Sequence, residues 1–398
     1  ILRPITELGM VRSVEVSADG HAAVAIALTI VGCPAAHRIE REVRAATAAT
    51  EGITCVTLDV GVMTPEQRRE FIKLVRGGKP ARAPQFGPDS LTRVIAVTSG
   101  KGGVGKSSVT VNLAVALAER GLSVGLVDAD VFGFSVPALM GLASDGAVEQ
   151  PTRLDEMIVP PVAHGVKVIS IGMFLGDADP RSTAVSWRGP MLHRTIEQFL
   201  RDVWFGDLDI LLLDLPPGTG DIAISVGQLL PQAEVIVVTT PQPAAADVAV
   251  RSALVARQTG QRVIGVIENM AGLVQPDGSV LELFGSGGGV AVAERLSALH
   301  DDDEHASQAV THENDETAPV ETTIGNGGGT NTVTRDAAVP LLGSAPLSPA
   351  FREAGDVGIP AVLRPEADPA AQALIAIADR LVTRPVSLVG TSLPVSPR

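Results

Sequence analysis

The residues with the clearest chemical meaning lie together in Gly100-Lys-Gly-Gly-Val-Gly105-Lys106-Ser107, which follows the spacing G-x-x-x-x-G-K-[ST]. Glycines at these positions let backbone N–H groups turn towards phosphate oxygens, and a following helix adds its positive end. The Lys106 ammonium can neutralise β- and γ-phosphates, and the Ser107 hydroxyl can ligate Mg²⁺. The nucleotide contacts expected are Gly100, Lys101, Gly102, Gly103, Val104, Gly105, Lys106, Ser107 and Ser108. The chain holds only five lysines, at 73, 79, 101, 106 and 167, and two of them stand in this loop. An ammonium is a compact point charge that fits such a cradle better than a guanidinium does.

Acids stand where this chemistry needs them. The apolar run Ser123–Val127 ends in Asp128-Ala-Asp130-Val-Phe-Gly-Phe-Ser135. Carboxylates at the carboxyl end of a sheet strand face the ligand crevice. Asp128 is expected to support Mg²⁺ or the loop. Ile210–Leu213 ends at Asp214, the Walker B arrangement in which a carboxylate holds Mg²⁺, partly through water. Leu215-Pro-Pro-Gly-Thr-Gly-Asp221 follows, and its glycines and prolines suit a switch loop that senses a γ-phosphate.

These groups need a scaffold, and the pattern around them supplies one. Apolar runs at Val94–Thr98, Ser123–Val127, Val166–Ile171, Ile210–Leu213, Val235–Thr239 and Val263–Ile267, with Val339–Leu342 as a further candidate, alternate with helical segments. Such alternation predicts an α/β fold, a mostly parallel sheet with helices on both faces. Residues 93–383 are read as this P-loop domain. Residues 1–76 form a smaller α/β unit, with strands Val11–Val16 and Ala22–Leu28 around Ser17-Ala-Asp-Gly20, a helix over Ala35–Thr50, a strand over Thr54–Val60 and a helix opened by Thr64-Pro-Glu-Gln67. Residues 77–92 read as a Pro/Gly-rich linker. Residues 300–337 are acidic, rich in Thr and Gly, and read as a disordered insertion. Residues 384–398 are a Pro-rich flexible tail.

Composition narrows the class. The chain has 398 residues, 45 % hydrophobic and 3 % aromatic, with no Tyr. Its core must be built from Val, Leu, Ile and Ala, as in buried parallel sheets. A net charge of −14 argues against a broad electrostatic hold on nucleic acid or on an anionic membrane. No apolar run reaches the roughly 18 residues of a membrane span. The sequence does not open with Met, and no signal peptide precedes its first apolar stretch. Two cysteines, Cys33 and Cys55, make no disulfide framework, and a cytoplasmic setting is expected. Cys55 falls in a strand pattern and is expected in the core.

Taken together, Gly100–Ser107, Asp128–Ser135, Trp187-Arg-Gly-Pro-Met191, Asp214–Asp221 and Gly265–Met270 resemble the Mrp branch of the MinD/Mrp/ParA group of deviant-Walker P-loop ATPases. Residues 4–10 and 29–34 resemble the MIP18-type module often joined to Mrp proteins. The resemblance implies slow Mg²⁺-dependent ATP hydrolysis by a homodimer. It implies that Lys101 reaches in trans to the partner's nucleotide, that Asp130 orients the attacking water, and that Asn269 contacts the adenine edge. It also implies a carrier or assembly factor for iron–sulfur clusters, working with scaffold or apo-client proteins. The usual cluster motif of that family, C-x-x-C, is absent, since Ala271–Ser279 contains no cysteine. Cys33 matches the module's cysteine, as a transient cluster thiolate or as a half-buried free thiol. The competing expectation is a ParA/MinD-like positioning ATPase. The tail from Arg384 lacks the basic amphipathic helix of MinD relatives, and the absence of Tyr disfavours a tyrosine autokinase.

Overall fold

The small unit at the start of the chain forms a three-stranded sheet. β1 (Val11–Val16) and β2 (His21–Leu28) pair antiparallel, and β3 (Cys55–Val62) joins β2 in parallel after the helix α1 (Ala36–Ala48). The β1–β2 turn closes at Gly20, whose φ is +81°, as the Ser17–Gly20 signal predicts. α2 (Pro65–Arg76) begins with the expected reciprocal cap: Gln67 N donates to Thr64 Oγ1 at 3.3 Å, and Thr64 N to Gln67 Oε1 at 3.0 Å. Cys55 corrects an expectation. It is exposed, because β3 turns Val56 and Leu58 inward and places Cys55 on the opposite face.

The computed structural model describes residues 4–29, 35–76, 85–87, 89–130, 133–144, 147–155, 157–174, 189–275, 277–299 and 338–383. Cys33, Trp187, Arg188, the 300–337 segment and the 384–398 tail lie outside the described residues.

The larger sheet has nine strands. After β4 (Arg93–Ser99), α3 (Lys106–Ala118) and β5 (Val124–Asp128) come the short helix α4 (Val136–Leu139) and two small hairpins, β6–β7 (Ala143–Ser144, Ala147–Val148) and β8–β9 (Thr152–Leu154, Met157–Val159). β10 (Val162–Ala163) and β11 (Val166–Ser170) follow, then α5 (Gly189–Asp202), β12 (Ile210–Asp214), α6 (Asp221–Leu229), β13 (Glu234–Thr239) and α7 (Pro243–Gln258). β14 (Arg262–Val274), β15 (Val280–Leu281) and β16 (Leu341–Leu347) complete the sheet. The order is β10-β11-β5-β12-β4-β13-β14-β15, with β16 also on β14. Its seven longer strands run parallel; only the short β10 and β15 are antiparallel. β5 and β12 are buried along their whole length, as strands covered on both faces must be. β14 runs seven residues past the expected Ile267, and the last strand starts at Leu341 rather than Val339.

The first sheet's unit shares apolar contacts with the β8–β9 hairpin. Leu154 and Met157, each 1 % exposed, complete a cluster with Leu8, Met10, Leu28, Phe71 and Val75 of the smaller unit. Arg68 pairs with Asp155 at 3.4 Å, and Arg38 donates to Val162 O at 3.3 Å. Part of the Pro/Gly-rich 77–92 stretch is also anchored. Gln85 donates to Val203 O at 2.6 Å, and Phe86 packs edge-on against Phe205 with ring centroids 5.8 Å apart.

Candidate nucleotide site

The glycine-rich loop joins β4 to α3 at the carboxyl end of the parallel sheet. Gly105 holds a φ of +78°, and a Cβ there would meet Asn269 Nδ2 at 2.3 Å, so the turn admits no larger residue. Asn269 in turn donates from Nδ2 to Val104 O at 2.9 Å and is buried. One of the two N–H donors of the Asn269 amide thus goes to the loop backbone. The residue's place is behind the loop, outside the lining of the cleft.

Parallel register places Asp214 beside Asp128 on one flank and Val97 on the other. Asp214 is fully buried and is held on every side. Lys106 Nζ lies 2.7 Å from its Oδ2, Ser107 Oγ donates to the same oxygen at 2.6 Å, and Thr110 Oγ1 contacts Oδ1 at 2.8 Å. Breaking a buried pair of this kind by removing one partner costs about 3–5 kcal/mol, because a charge is left uncompensated. Ser107 and Asp214 are hard oxygen donors on one side of the loop, a donor set that fits Mg²⁺.

Asp128 supports the loop, one of its two expected roles. It is fully buried, accepts from Ser170 Oγ at 2.9 Å and from Asp130 N at 3.1 Å, and does not line the cleft. Burial, followed by the charge of neighbouring Asp214, pushes its carboxyl up to about 8. Its bonds tie β11 to the start of the loop after β5.

Asp130 does reach the cleft and takes a bond from Gly133 N at 3.1 Å on Oδ1. The cleft has a volume of about 610 Å³ and is bounded by the phosphate loop, Asp130, Ser135, Leu192, Pro216, Pro217 and Asp221. That is the size of a small-molecule site, which spans about 300–1,000 Å³. Lys101 lines the same cleft, and its Nζ donates to Gln242 Oε1 at 2.7 Å in the same chain.

Three polar residues escape the sequence reading. Thr110 had a signal: a hydroxyl inside an otherwise apolar helix, one turn after Lys106. Gln242 is flanked by prolines after β13. Ser252 Oγ contacts Ser99 O at 3.2 Å and Gly218 O at 3.1 Å, joining α7 to both loops, and nothing in its local sequence marks it. Among the described residues, no group of three or more His, Cys, Asp or Glu is arranged to hold a metal ion, and no helix is long and apolar enough to cross a membrane.

Comparison with known proteins shows the family. Residues 90–323 match the family described as NUBPL iron-transfer P-loop NTPase, and residues 2–60 match that described as iron-sulfur cluster assembly protein. The chain is 50 % identical to an iron-sulfur cluster carrier protein of Mycobacterium tuberculosis (strain ATCC 25618 / H37Rv), over 99 % of this chain and 92 % of the relative. It is 39 % identical to one of Bacillus subtilis (strain 168), over 74 % of this chain and 80 % of that protein. A solved nucleotide-binding protein from Archaeoglobus fulgidus, in complex with ADP, is 32 % identical, with a TM-score of 0.47, covering 67 % of this chain and 86 % of that one. With the phosphate loop, the Asp214 cluster and the parallel sheet in place, the chain belongs to the NUBPL-type family of iron-transfer P-loop NTPases.

Proposed function

We propose that this protein is an ATP-driven carrier or assembly factor for iron–sulfur clusters, hydrolysing ATP slowly as a homodimer and handing its cargo to scaffold or apo-client proteins. The observation that carries the nucleotide half is the buried knot of Lys106, Ser107, Thr110 and Asp214 beneath the phosphate loop. The cargo half rests on the carrier relatives.

In the nucleotide-bound state Lys106 exchanges Asp214 for the β- and γ-phosphates, a local move since its ammonium already lies in the loop. Ser107 and Asp214 would hold Mg²⁺, which when bound neutralises phosphate charge. Asp130, at the cleft wall, orients the attacking water. Gly102, Gly103, Val104 and Ser108 supply loop and helix N–H groups to the phosphates. Lys101 supplies a cation to the facing subunit's γ-phosphoryl group, as an arginine finger does. Hydrolysis is slow because, among the described residues, no strong general base lines the cleft. Cys33 is the proposed thiolate for the cluster in transit, because Ala271–Ser279 offers no cysteine.

Two experiments test this reading. Lys101→Ala and Asp130→Ala proteins should each be inactive, and mixing them should restore partial ATPase activity through dimers with one intact composite site. No recovery in verified mixed dimers counts against a site shared between subunits. Anaerobic reconstitution with iron and sulfide counting should load the wild type and fail on Cys33→Ser. Equal loading removes Cys33 from the proposal.

A further inference from the structure

Lys101 is already engaged within its own chain. Its partner, Gln242, sits between Pro241 and Pro243, and its φ of −62° and ψ of 129° are the extended conformation that a following proline imposes. Gln242 O accepts from Ala245 N at 2.9 Å and from Ala246 N at 3.2 Å, which ties the residue into the first turn of α7. The other side of the contact is equally constrained. Ser99 Oγ donates to Lys101 O at 3.1 Å. Gly100 lies so near α7 that a Cβ on it would meet Val248 C and Ala249 N at 2.3 Å. The phosphate loop and α7 therefore behave as one body that sets the amide opposite the ammonium.

The acceptor is neutral. A carboxylate at 242 would hold the ammonium by a bond between two ions, whereas the amide leaves the lysine's charge uncompensated. An approaching phosphate oxygen is a stronger acceptor than an amide and can draw the lysine away. We infer that Gln242 is a positioning residue, a releasable latch that holds Lys101 in its own chain until the facing subunit's nucleotide takes it. This rests on the reading of Lys101 as the cation that completes a partner's site. The latch ties the lysine's release to assembly, so an unpaired chain does not present its cation.

Two substitutions at this one position should act in opposite directions, which a merely structural role would not produce. Gln242→Glu strengthens the hold and should lower kcat about tenfold at unchanged KM for ATP. Gln242→Ala frees the lysine and should raise turnover about two- to threefold at low protein concentration, where dimers are scarce. A second readout needs no turnover. Acetylation of Lys101 in nucleotide-free protein, followed by peptide mass spectrometry with exposed Lys73 as internal reference, should run fastest in Gln242→Ala and slowest in Gln242→Glu. Equal labelling in all three proteins overturns the latch. Labelling in the expected order with both variants turning over alike, or falling together, also overturns it. Full turnover by Lys101→Ala would instead sink the shared site, while labelling still decides whether Gln242 holds the lysine.

Discussion

Thr110→Val is the sharpest test of how the site is built. The substitution keeps the β-branched shape and nearly the same helix propensity, so packing and backbone preference change little. It deletes one hydroxyl. Thr110 Oγ1 lies 2.8 Å from both Asp214 Oδ1 and Lys106 O, and its single proton serves the ionised carboxylate as the stronger acceptor. Both residues are fully buried, so no water replaces the lost donor. Leaving a buried acceptor unpaired costs about 1–3 kcal/mol, and a charged one lies at or above the upper end. For a cooperative unit of this size that corresponds to a fall in Tm of roughly 5 °C. Asp214 also loses the contact that fixes its rotation, so half-saturation of the ATPase by Mg²⁺ should shift upward several-fold. Thr110→Ser, which keeps the donor, should lose much less. Thermal unfolding and a Mg²⁺ titration at fixed ATP read both effects. If Thr110→Val melts with the wild type and needs no more Mg²⁺, Thr110 does not hold Asp214, and the account of the buried knot is wrong.

Lys106→Ala should abolish nucleotide binding, measured by titration with a fluorescent ATP analogue; normal turnover in the purified variant would refute the site assignment. Leu154→Ala removes a side chain 1 % exposed from the cluster that the β8–β9 hairpin shares with the first sheet, and should cost about 2–5 kcal/mol and speed proteolysis within residues 1–76; unchanged cleavage there would mean the hairpin does not brace the first unit. Asp128 is raised from 3.8 to about 8, so the folded chain keeps a proton that the unfolded chain releases. Its contribution is full below the unfolded value and is lost as pH rises through about 8, and Asp128→Asn in chelator should flatten the decline of Tm across that window; a parallel decline in both proteins refutes the assignment. Residues 300–337 should be dispensable for folding, since Ser297 Oγ accepts from Val339 N at 3.0 Å and already brings the flanking chain together; loss of the melting transition on deletion would show that the segment packs against the sheet.

How much was legible follows from the range of each interaction. The phosphate loop could be read because its glycines, lysine and serine act through neighbouring backbone, and the strand before it and helix after it announce themselves by local hydrophobic pattern. The same local physics marked Asp214 at the end of an apolar strand and the Thr64–Gln67 cap. The exposure of Cys55 was less legible: alternation along β3 assigns a face, but only the packing of α1 and α2 decides which face is inside. Asp128 and Asp214 lie 86 positions apart, and parallel register alone sets them side by side, so that the charge of Asp214 adds to burial, the larger cause, in raising the Asp128 carboxyl. Lys101 meets Gln242 for the same reason, across 141 positions. The sequence by itself determined that a phosphate would be cradled between β4 and α3, because that depends on backbone geometry a few residues long. Tertiary structure alone decided which acid faces the cleft, which is silenced, and which side chain holds the lysine, because electrostatic and hydrogen-bond energies depend on distances that folding creates.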